Sequence, residues 1–401
     1  MPRTPASLPR YLPAVQPADT VPPPIDSPAE ASSEARLQWI VLPVATYDAD
    51  DGFGAGARAE IVKPGGDPYR TAFVIHLIAT VRGFHHHRIR FDQVGLGGND
   101  DLRLTGHFAF RAWLNDGYWG LGNATRLDPA FVGTFDWDDP RRTRYRYRLV
   151  QPFANLTLRA GLGGPYEAFV SVQPRWSFVS TYEGSLLDEQ RPYGMEGGPA
   201  VQIAAGAIVD SRAPEVSPHT GWAVEASGRL VVGAYTFGGP QLNVRAYAGL
   251  GPDVVVASRL MAEHLFGEVP FYEMNQWGGS LPVVGFGGAD SLRGVPFGRW
   301  RGPGKAVWNT ELRLDVWHTT LAKAPTTLQL APFVDAGVVW GVPGDAAVDG
   351  VLPVHPGAGL GVRGLWGEAT VGRFDVAVAP DHTTAGDRAT LGLYLSFDHV
   401  F

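Results

Sequence analysis

The 401-residue chain contains 51 Gly, 33 Pro, 12 Trp, 13 Tyr and 20 Phe, has no Cys, and carries a formal net charge of −7. The absence of Cys excludes disulfides and thiolate metal sites, and the acidic balance argues against nucleic-acid binding, which needs a basic surplus. No run of about eighteen uncharged apolar residues occurs, so no ordinary transmembrane helix is predicted. A mean hydropathy of −0.06 with many aromatic residues is typical of strands that expose only alternate residues to lipid.

Residues 1–36 form a compositional block in which Pro alternates with Ala, Ser and acidic residues. Such a tract cannot bury a core, and it predicts an extended, disordered tail on the periplasmic side. It is also shorter than the roughly 40 residues that a minimal domain needs. We interpret it as an inert linker, with a docking tail for a periplasmic partner as the alternative.

From residue 37 to residue 401, segments with a two-residue hydrophobic period alternate with Gly-, Pro- and Asp-rich turns. Sixteen strands are predicted, and an even number returns both ends of a barrel to the same side of the membrane. Their predicted ranges are 37–47, 52–62, 71–83, 87–95, 101–113, 143–161, 166–180, 197–210, 220–233, 240–251, 253–264, 304–317, 327–340, 356–366, 370–379 and 388–401.

The parity of these segments predicts which face meets lipid. In 304–317, Trp308, Leu312 and Leu314 share one face, while Glu311 and Arg313 share the other. A soluble sandwich turns its apolar faces toward each other and its charged faces toward bulk water. Charges opposite a continuous apolar stripe in strand after strand instead predict a lipid-facing exterior and a wet lumen.

Two connections are long. Residues 114–142 are predicted to form an external loop, and residues 265–303 form a longer, Gly-rich connection with seven aromatic side chains. Loops of this length without their own secondary structure are usually functional. Because so many aromatic residues would be costly in water, we expect 265–303 to fold into the barrel.

No catalytic or metal site is predicted. His85, His86 and His87 invite a metal interpretation together with His76, but three consecutive residues of a strand cannot all face one ion. Asp48, Asp50 and Asp51 lack the terminal Glu spacing of a calcium loop, and nothing in the chain resembles a G-x-S-x-G nucleophile motif. We therefore predict no cofactor and no enzymatic activity.

Several motifs follow one another in the second half of the chain. They are Gly287-Gly288-Ala289-Asp290-Ser291-Leu292-Arg293-Gly294, Asn309-Thr310-Glu311-Leu312-Arg313, Phe333-Val334-Asp335-Ala336-Gly337-Val338-Val339-Trp340, Gly359-Leu360-Gly361-Val362-Arg363, Arg373-Phe374-Asp375 and the terminal Phe401. Upstream stand Tyr118-Trp119-Gly120-Leu121-Gly122-Asn123 and Asp210-Ser211-Arg212-Ala213-Pro214. In this order the chain resembles the BamA/TamA-type family of outer-membrane assembly and translocation barrels, most closely over 281–401. It departs from the family motif at Val295, where an aromatic residue is usual.

The resemblance implies an all-β fold, a sixteen-stranded antiparallel transmembrane barrel with the loop 265–303 in its lumen. It also implies a loop lock in which Arg293, followed by Gly294, pairs with Glu311 and Asp335. Parity independently places both carboxylates on lumen-facing positions. A seam between the first and last strands is implied as well, at Pro43 and Phe401, and Pro43 would remove one ladder donor there.

The implied location is the outer membrane of a Gram-negative bacterium, and the implied activity is assembly or transport of outer-membrane proteins or lipids. Outer-membrane lipids, unfolded outer-membrane proteins and a periplasmic partner are the expected partners. Residues 1–36 are too short for the periplasmic POTRA modules that usually precede such barrels. Two alternatives stay open: a passive or plugged channel, and a barrel lipid hydrolase.

Overall fold

The computed structural model describes residues 37–48, 51–63, 69–131, 139–212, 217–280, 283, 285–321, 324–345, 353–366, 370–397 and 399–401. The predicted tail at 1–36 lies outside the described residues. No helix in the described ranges combines the length and the apolar character needed to cross a bilayer.

One antiparallel sheet of sixteen long strands closes on itself and forms a barrel, so the predicted fold class is confirmed. The strands are β1 Gln38–Asp48, β2 Gly52–Lys63, β3 Thr71–Thr80, β4 Phe84–Val94, β5 Leu102–Gly117, β6 Arg146–Gly163, β7 Tyr166–Thr181, β8 Gly198–Asp210, β9 Gly221–Gly233, β10 Phe237–Gly251, β11 Val254–His264, β12 Gly304–Leu321, β13 Ala324–Trp340, β14 His355–Trp366, β15 Thr370–Thr383 and β16 Gly386–Phe397. The two-residue segment Phe266–Gly267 continues β11 along β10. Each strand pairs with its neighbours in the chain, and β1 pairs with β16.

The helical elements are short and lie in the connections. They are the α-helix α1 Leu186–Gln190 and the 3₁₀ turns Leu96–Gly98 and Pro140–Thr143. Ser185 caps α1 by accepting a hydrogen bond from the amide of Asp188 at 3.2 Å. The longest connections join strands at one end of the barrel, which is the extracellular end in outer-membrane barrels; they are 118–145, 182–197, 265–303 and 341–354.

Several predicted boundaries differ from the structure by three or four residues, and three of them change the interpretation of a segment. β4 begins at Phe84 rather than 87, directly after a turn in which Gly83 has φ +82. β5 continues to Gly117 rather than 113, through a register shift between Trp113 and Asp116, so the external loop begins at 118. β16 ends at Phe397 rather than 401.

The barrel wall is apolar outside and charged inside. On β12, Trp308 is 48% exposed, whereas the neighbouring Asn309 and Glu311 are fully buried. The same alternation places Trp176 and Phe178 outside β7, with their rings stacked at a centroid separation of 5.7 Å. The outward stripe is therefore the lipid-facing belt, and the polar stripe lines the lumen.

The connection 265–303 occupies the lumen. Its aromatic and aliphatic side chains Trp277, Phe286, Leu292 and Trp300 are each at most 1% exposed, and they pack with Val307 of β12. The first part of the connection is buried too, since Phe271 meets Tyr118 and Tyr147 edge-on at 5.4 and 5.2 Å. The loop thus packs against the wall in two hydrophobic clusters.

Candidate functional site

Arg293 lies at the inner end of the lumen loop and contacts carboxylates of two neighbouring strands. Its Nη1 donates to Glu311 of β12 at 2.6 Å, and its Nε and Nη2 donate to the two carboxylate oxygens of Asp335 on β13 at 2.8 and 2.9 Å. The backbone amide of Arg293 also donates to Asp335, at 3.0 Å. All three side chains are fully buried. The structure therefore brings together the three ionic residues that the sequence assigned to the loop lock.

The environment of Arg293 explains why an arginine stands there. Its planar guanidinium bonds Asp335 with two parallel donors while a third donor reaches Glu311, a geometry that a lysine cannot reproduce. The guanidinium also lies 3.4 Å from the ring centroid of Phe333, so one face of the cation contacts an aromatic ring. A buried charge is stable only when it is paired and hydrogen-bonded in this way.

A wider ionic network surrounds the arginine. Asp375 of β15 accepts from Arg363 at 2.5 Å and approaches Arg293 at 3.5 Å, and Glu311 also accepts from Arg313 and Arg363, both at 3.0 Å. Arg373 donates to the carboxylate of Asp290 in the loop at 2.9 Å. Four arginines thus face four carboxylates, so the network is balanced in charge. The sequence motifs contained Arg363, Arg373 and Asp375, but their part in the site was not predicted.

Gly294 adopts φ +89 and connects the loop to the last two strands. Its amide donates to the hydroxyl of Tyr394 at 3.1 Å, and its carbonyl accepts from the hydroxyl of Thr390 at 2.7 Å; both partners lie on β16. A Cβ at this position would lie 2.8 Å from the carbonyl carbon of Val378. Glycine is therefore required by both the backbone conformation and the closeness of β15.

A second buried ionic cluster holds the first half of the loop, and the sequence analysis missed it. Glu263 of β11 accepts from Nη2 of Arg229 on β9 at 2.9 Å and from Lys305 of β12 at 2.5 Å. It also accepts from the loop amide of Gly278 at 3.1 Å. Glu273 of the loop pairs with Arg175 of β7 at 3.1 Å. No local motif marks these residues; the available signal was their charge at lumen-facing positions of their strands.

The last part of the loop is held by the external connection. Arg299 pairs with Asp381 at 2.8 Å and donates to the hydroxyl of Thr125 at 2.6 Å, while Arg301 donates to the carbonyl of Gly117 at 2.8 Å. The predicted Tyr118–Asn123 element packs directly on this segment, since the amide of Gly122 donates to the carbonyl of Arg301 at 2.8 Å. Burial raises the pKa of Tyr118 to about 12, and its hydroxyl donates to Gln190 at 2.9 Å.

The seam between β1 and β16 is short. Among the described residues, these strands pair at two positions, Tyr47 with Leu395 and Asp48 with Tyr394. In contrast, β1 pairs with β2 at eleven positions and β15 pairs with β16 at twelve. Pro43 lies on β1 opposite Ala57 of β2, within the part of β1 that has no partner on β16 among the described residues.

Phe401 was predicted at the seam, and the structure places it elsewhere. The chain leaves β16 after Phe397 and turns into the lumen, where the ring of Phe401 lies 5.1 Å from the Arg259 guanidinium and 5.4 Å from that of Arg313. The carbonyl of Val400 accepts from Arg259 at 2.9 Å. These lumen arginines offer the chain end better contacts than the lipid-facing strand position that simple alternation predicted.

The histidine segment lies within β4, so its side chains alternate between faces. His85 and His87 point outward and His86 points inward with His76, and a single ion cannot collect all four. At the other end of the barrel, Asp253, Asp315 and His318 have ligand atoms within 4.8 Å of one another. Two of these side chains are more than half exposed, and solvated acidic groups are common without an ion.

A closed barrel with an apolar exterior, a charged lumen and an inserted loop defines a β-barrel protein of the bacterial outer membrane. The Omp85 superfamily domain matches residues 200–399, and the chain belongs to the Omp85 superfamily, whose members are assembly and transport barrels. This confirms the resemblance to BamA/TamA-type barrels. No curated protein sequence matches the chain.

Solved structures show the same fold at low sequence identity. BamA from Haemophilus ducreyi lacking POTRA domains 1–3 is 14% identical with a TM-score of 0.57, over 90% of this chain and 70% of that one. CdiB from Escherichia coli is 12% identical with a TM-score of 0.57, over 89% of this chain and 62% of that one. CdiB from Acinetobacter baumannii is 13% identical with a TM-score of 0.50, over 90% of this chain and 59% of that one. The chain thus spans less than two thirds of either CdiB.

Proposed function

We propose that this barrel assembles or translocates outer-membrane polypeptides in a Gram-negative bacterium, without enzymatic chemistry. The observation that carries the proposal is the short seam, where β1 and β16 pair at two positions while the adjacent strand pairs are joined at eleven and twelve. A barrel that served only as a passive wall would gain stability from a full ladder at every junction, because unpaired strand edges are a liability.

The seam offers backbone groups to an incoming strand. Residues 38–46 of β1 and 386–393 of β16 have no ladder partner across the seam in the described part of the chain. An extended polypeptide adds to such an edge through its own amides and carbonyls, so recognition does not depend on a particular side-chain sequence. The substrate class is therefore an unfolded or partly folded strand of an outer-membrane protein, and a periplasmic partner would deliver it.

The lumen loop is placed to support the seam. Gly294 binds two hydroxyls of β16, and Arg293 ties the same part of the loop to β12 and β13. The loop would thus hold β16 in position while its seam edge opens toward β1. The free energy for insertion would come from strand pairing and membrane thinning, which require no nucleotide.

Crosslinking the seam tests the proposal. Because the chain has no Cys, the double variant Tyr47→Cys/Leu395→Cys introduces a single disulfide across a register pair of the seam. Reconstituted in liposomes, the reduced variant should accelerate insertion of an unfolded outer-membrane barrel over protein-free liposomes. The oxidised variant should lose at least about nine tenths of that acceleration, since a covalently closed seam cannot open.

The matched control is Trp39→Cys/Ile61→Cys, which crosslinks β1 to β2 away from the seam. Its insertion activity should be the same when oxidised or reduced. Full activity with an oxidised seam would contradict the proposal. Absence of activity in all variants, accompanied by a large steady conductance in planar bilayers, would instead establish a passive channel.

A further inference from the structure

The outer surface of the barrel carries an apolar groove in its lipid-facing belt. The groove has a volume of about 810 Å³ and crosses β3 to β9; its outward lining includes Phe108, Phe110, Pro152, Trp176, Val201 and Val232. Trp176 is 48% exposed, and Phe108, Phe110, Val201 and Val232 are each between 37% and 46% exposed. The convex outside of a barrel is ordinarily filled by evenly alternating side chains, so a concavity here needs a local cause.

Proline residues on three consecutive strands supply that cause. Pro152, Pro174 and Pro199 lie on β6, β7 and β8, and none of them can donate a ladder hydrogen bond. Pro152 stands opposite Phe110 of β5, and Pro199 stands opposite Trp176. The register between β6 and β7 is the same on both sides of Pro152, since Val150 pairs with Phe178 and Phe153 with Arg175. The groove therefore crosses strands in which three ladder donors are missing, between large aromatic side chains.

An outward-facing arginine lies above the groove on the same strand. Arg148 stands four residues from Pro152 toward the extracellular end of β6, a distance of about 13 Å along a strand. Its side chain is exposed, and the guanidinium lies 4.4 Å over the ring of Tyr182, whose hydroxyl accepts from Arg148 Nε at 3.2 Å. Tyr182 in turn donates to the carbonyl of Leu114 at 2.7 Å, so the tyrosine that supports the arginine is itself fixed.

The Nη groups of Arg148 remain available. Across the described residues, no carboxylate lies within ion-pair distance of this side chain. Arg146, two residues nearer the extracellular end, is partly buried, and its Nη1 donates to the carbonyl of Asn115 at 3.1 Å. An arginine held by an aromatic ring with its outer donors open is suited to bind a phosphate.

We propose that this surface is a binding site for a phosphate-bearing lipid of the outer leaflet. Arg148 binds the phosphate at the membrane boundary, and an acyl chain lies in the proline-lined groove below it. The spacing fits, because strands tilted by about 40° convert the 13 Å between Arg148 and Pro152 into about 10 Å along the membrane normal. This depth lies within the ~15 Å hydrocarbon depth of one leaflet, half of a 30 Å core. The exposed Arg148 beside the apolar groove favours an anionic lipid over a neutral one. Because Arg148 lies toward the end of the barrel with the long loops, that lipid belongs to the outer leaflet.

The test is lipid binding by the detergent-solubilised full chain, measured by native mass spectrometry. The probes are diphosphorylated lipid A and the same lipid after removal of its phosphates. We expect Arg148→Gln to weaken binding of the phosphorylated probe about tenfold, a factor equivalent to 1.4 kcal/mol. The dephosphorylated probe should bind the unchanged chain about tenfold more weakly, and Arg148→Gln should reduce that binding no further.

Val201→Trp fills the groove and should weaken the binding of both probes by the same factor. Two matched controls keep these outcomes specific. Arg191→Gln removes another exposed cation at the extracellular end, and Val334→Trp adds the same bulk to an outward position of β13; neither should change binding. Equal affinity for the two probes, or equal effects of a variant and its control, would overturn the proposal. The readout requires no insertion activity, so it succeeds or fails independently of the proposed function.

Discussion

The amide of Gly294 donates a hydrogen bond to the hydroxyl of Tyr394 at 3.1 Å, and this contact joins the lumen loop directly to the last strand of the barrel. One residue earlier, Arg293 is bonded to β12 and β13. Two consecutive loop residues therefore connect the strands on which the loop is anchored with the strand that borders the seam. A change at either residue should affect both the loop and the seam.

Arg293→Ala should release the loop. Removing the guanidinium leaves Glu311 and Asp335 buried, with one of their cations missing, which costs about 3–5 kcal/mol in a dry site. We expect chymotrypsin to cut the variant at aromatic residues of the loop, such as Phe286 and Phe297, at a protease concentration that leaves the unchanged chain intact. Chymotrypsin is the better protease because the substitution itself removes a tryptic site.

Two variants accompany Arg293→Ala. Arg293→Lys keeps the charge and loses the bidentate contact, so its cleavage should be intermediate. Arg191→Ala removes an arginine that is 63% exposed and should leave the loop protected. A cleavage pattern of Arg293→Ala that equals that of Arg191→Ala would show that Arg293 does not restrain the loop.

Gly294→Ala should destabilise the barrel more than the same substitution at an open glycine. Both Gly294 and Gly184 have positive φ, +89 and +70, so each alanine costs about 1–3 kcal/mol of backbone strain. A Cβ at Gly184 meets nothing within 4 Å, whereas one at Gly294 collides with the backbone of Val378. The difference in unfolding free energy, from urea titration in lipid vesicles, isolates the packing of the loop against β15.

Tyr394→Phe tests the hydrogen bond alone. It removes one hydroxyl and leaves the buried amide of Gly294 without that acceptor, so we expect a loss of about 1–3 kcal/mol in unfolding free energy. If the loop supports the seam, Tyr394→Phe should also speed formation of an intermolecular disulfide by Leu395→Cys, which becomes accessible when the seam opens. An unchanged rate of disulfide formation would show that the contact between Gly294 and Tyr394 does not restrain the seam.

Much of the fold follows from local sequence, because two-residue periodicity is imposed by each strand separately. The parity that placed Glu311 and Asp335 inside is of this kind, and the structure has both carboxylates buried in the lumen. The end of β16, in contrast, does not follow from local periodicity. Leu391 and Phe401 share a parity, yet Leu391 is 59% exposed to lipid while Phe401 turns inward to Arg259. Alternation specifies faces, but it contains no information about where a strand stops.

The second ionic cluster shows the other limit of local reasoning. Arg229, Glu263 and Lys305 lie on β9, β11 and β12, and Glu273 comes from the loop. Each has an unremarkable sequence context, and their meeting depends on the stagger of strands around the barrel and on the path of the loop. The Arg293 site was accessible only because its residues occur within a recognisable order of motifs. The lumen partners of Glu263 had no such motif.

The charge balance of that cluster leads to a final prediction. Glu263 pairs with Arg229 and Lys305, so Glu263→Gln removes the carboxylate that Lys305 contacts, while Arg229 keeps Glu273 at 3.9 Å; we expect a cost of about 3–5 kcal/mol. Lys305→Met leaves Glu263 paired with Arg229 and should cost less, about 1.5–3 kcal/mol, mainly for one lost charged hydrogen bond. The double variant should regain part of the loss of Glu263→Gln, because the buried ammonium that lost its carboxylate is gone. Urea titrations of the three variants measure this coupling, and strictly additive losses would show that the cluster is solvated rather than a dry anchor for the loop at Gly278.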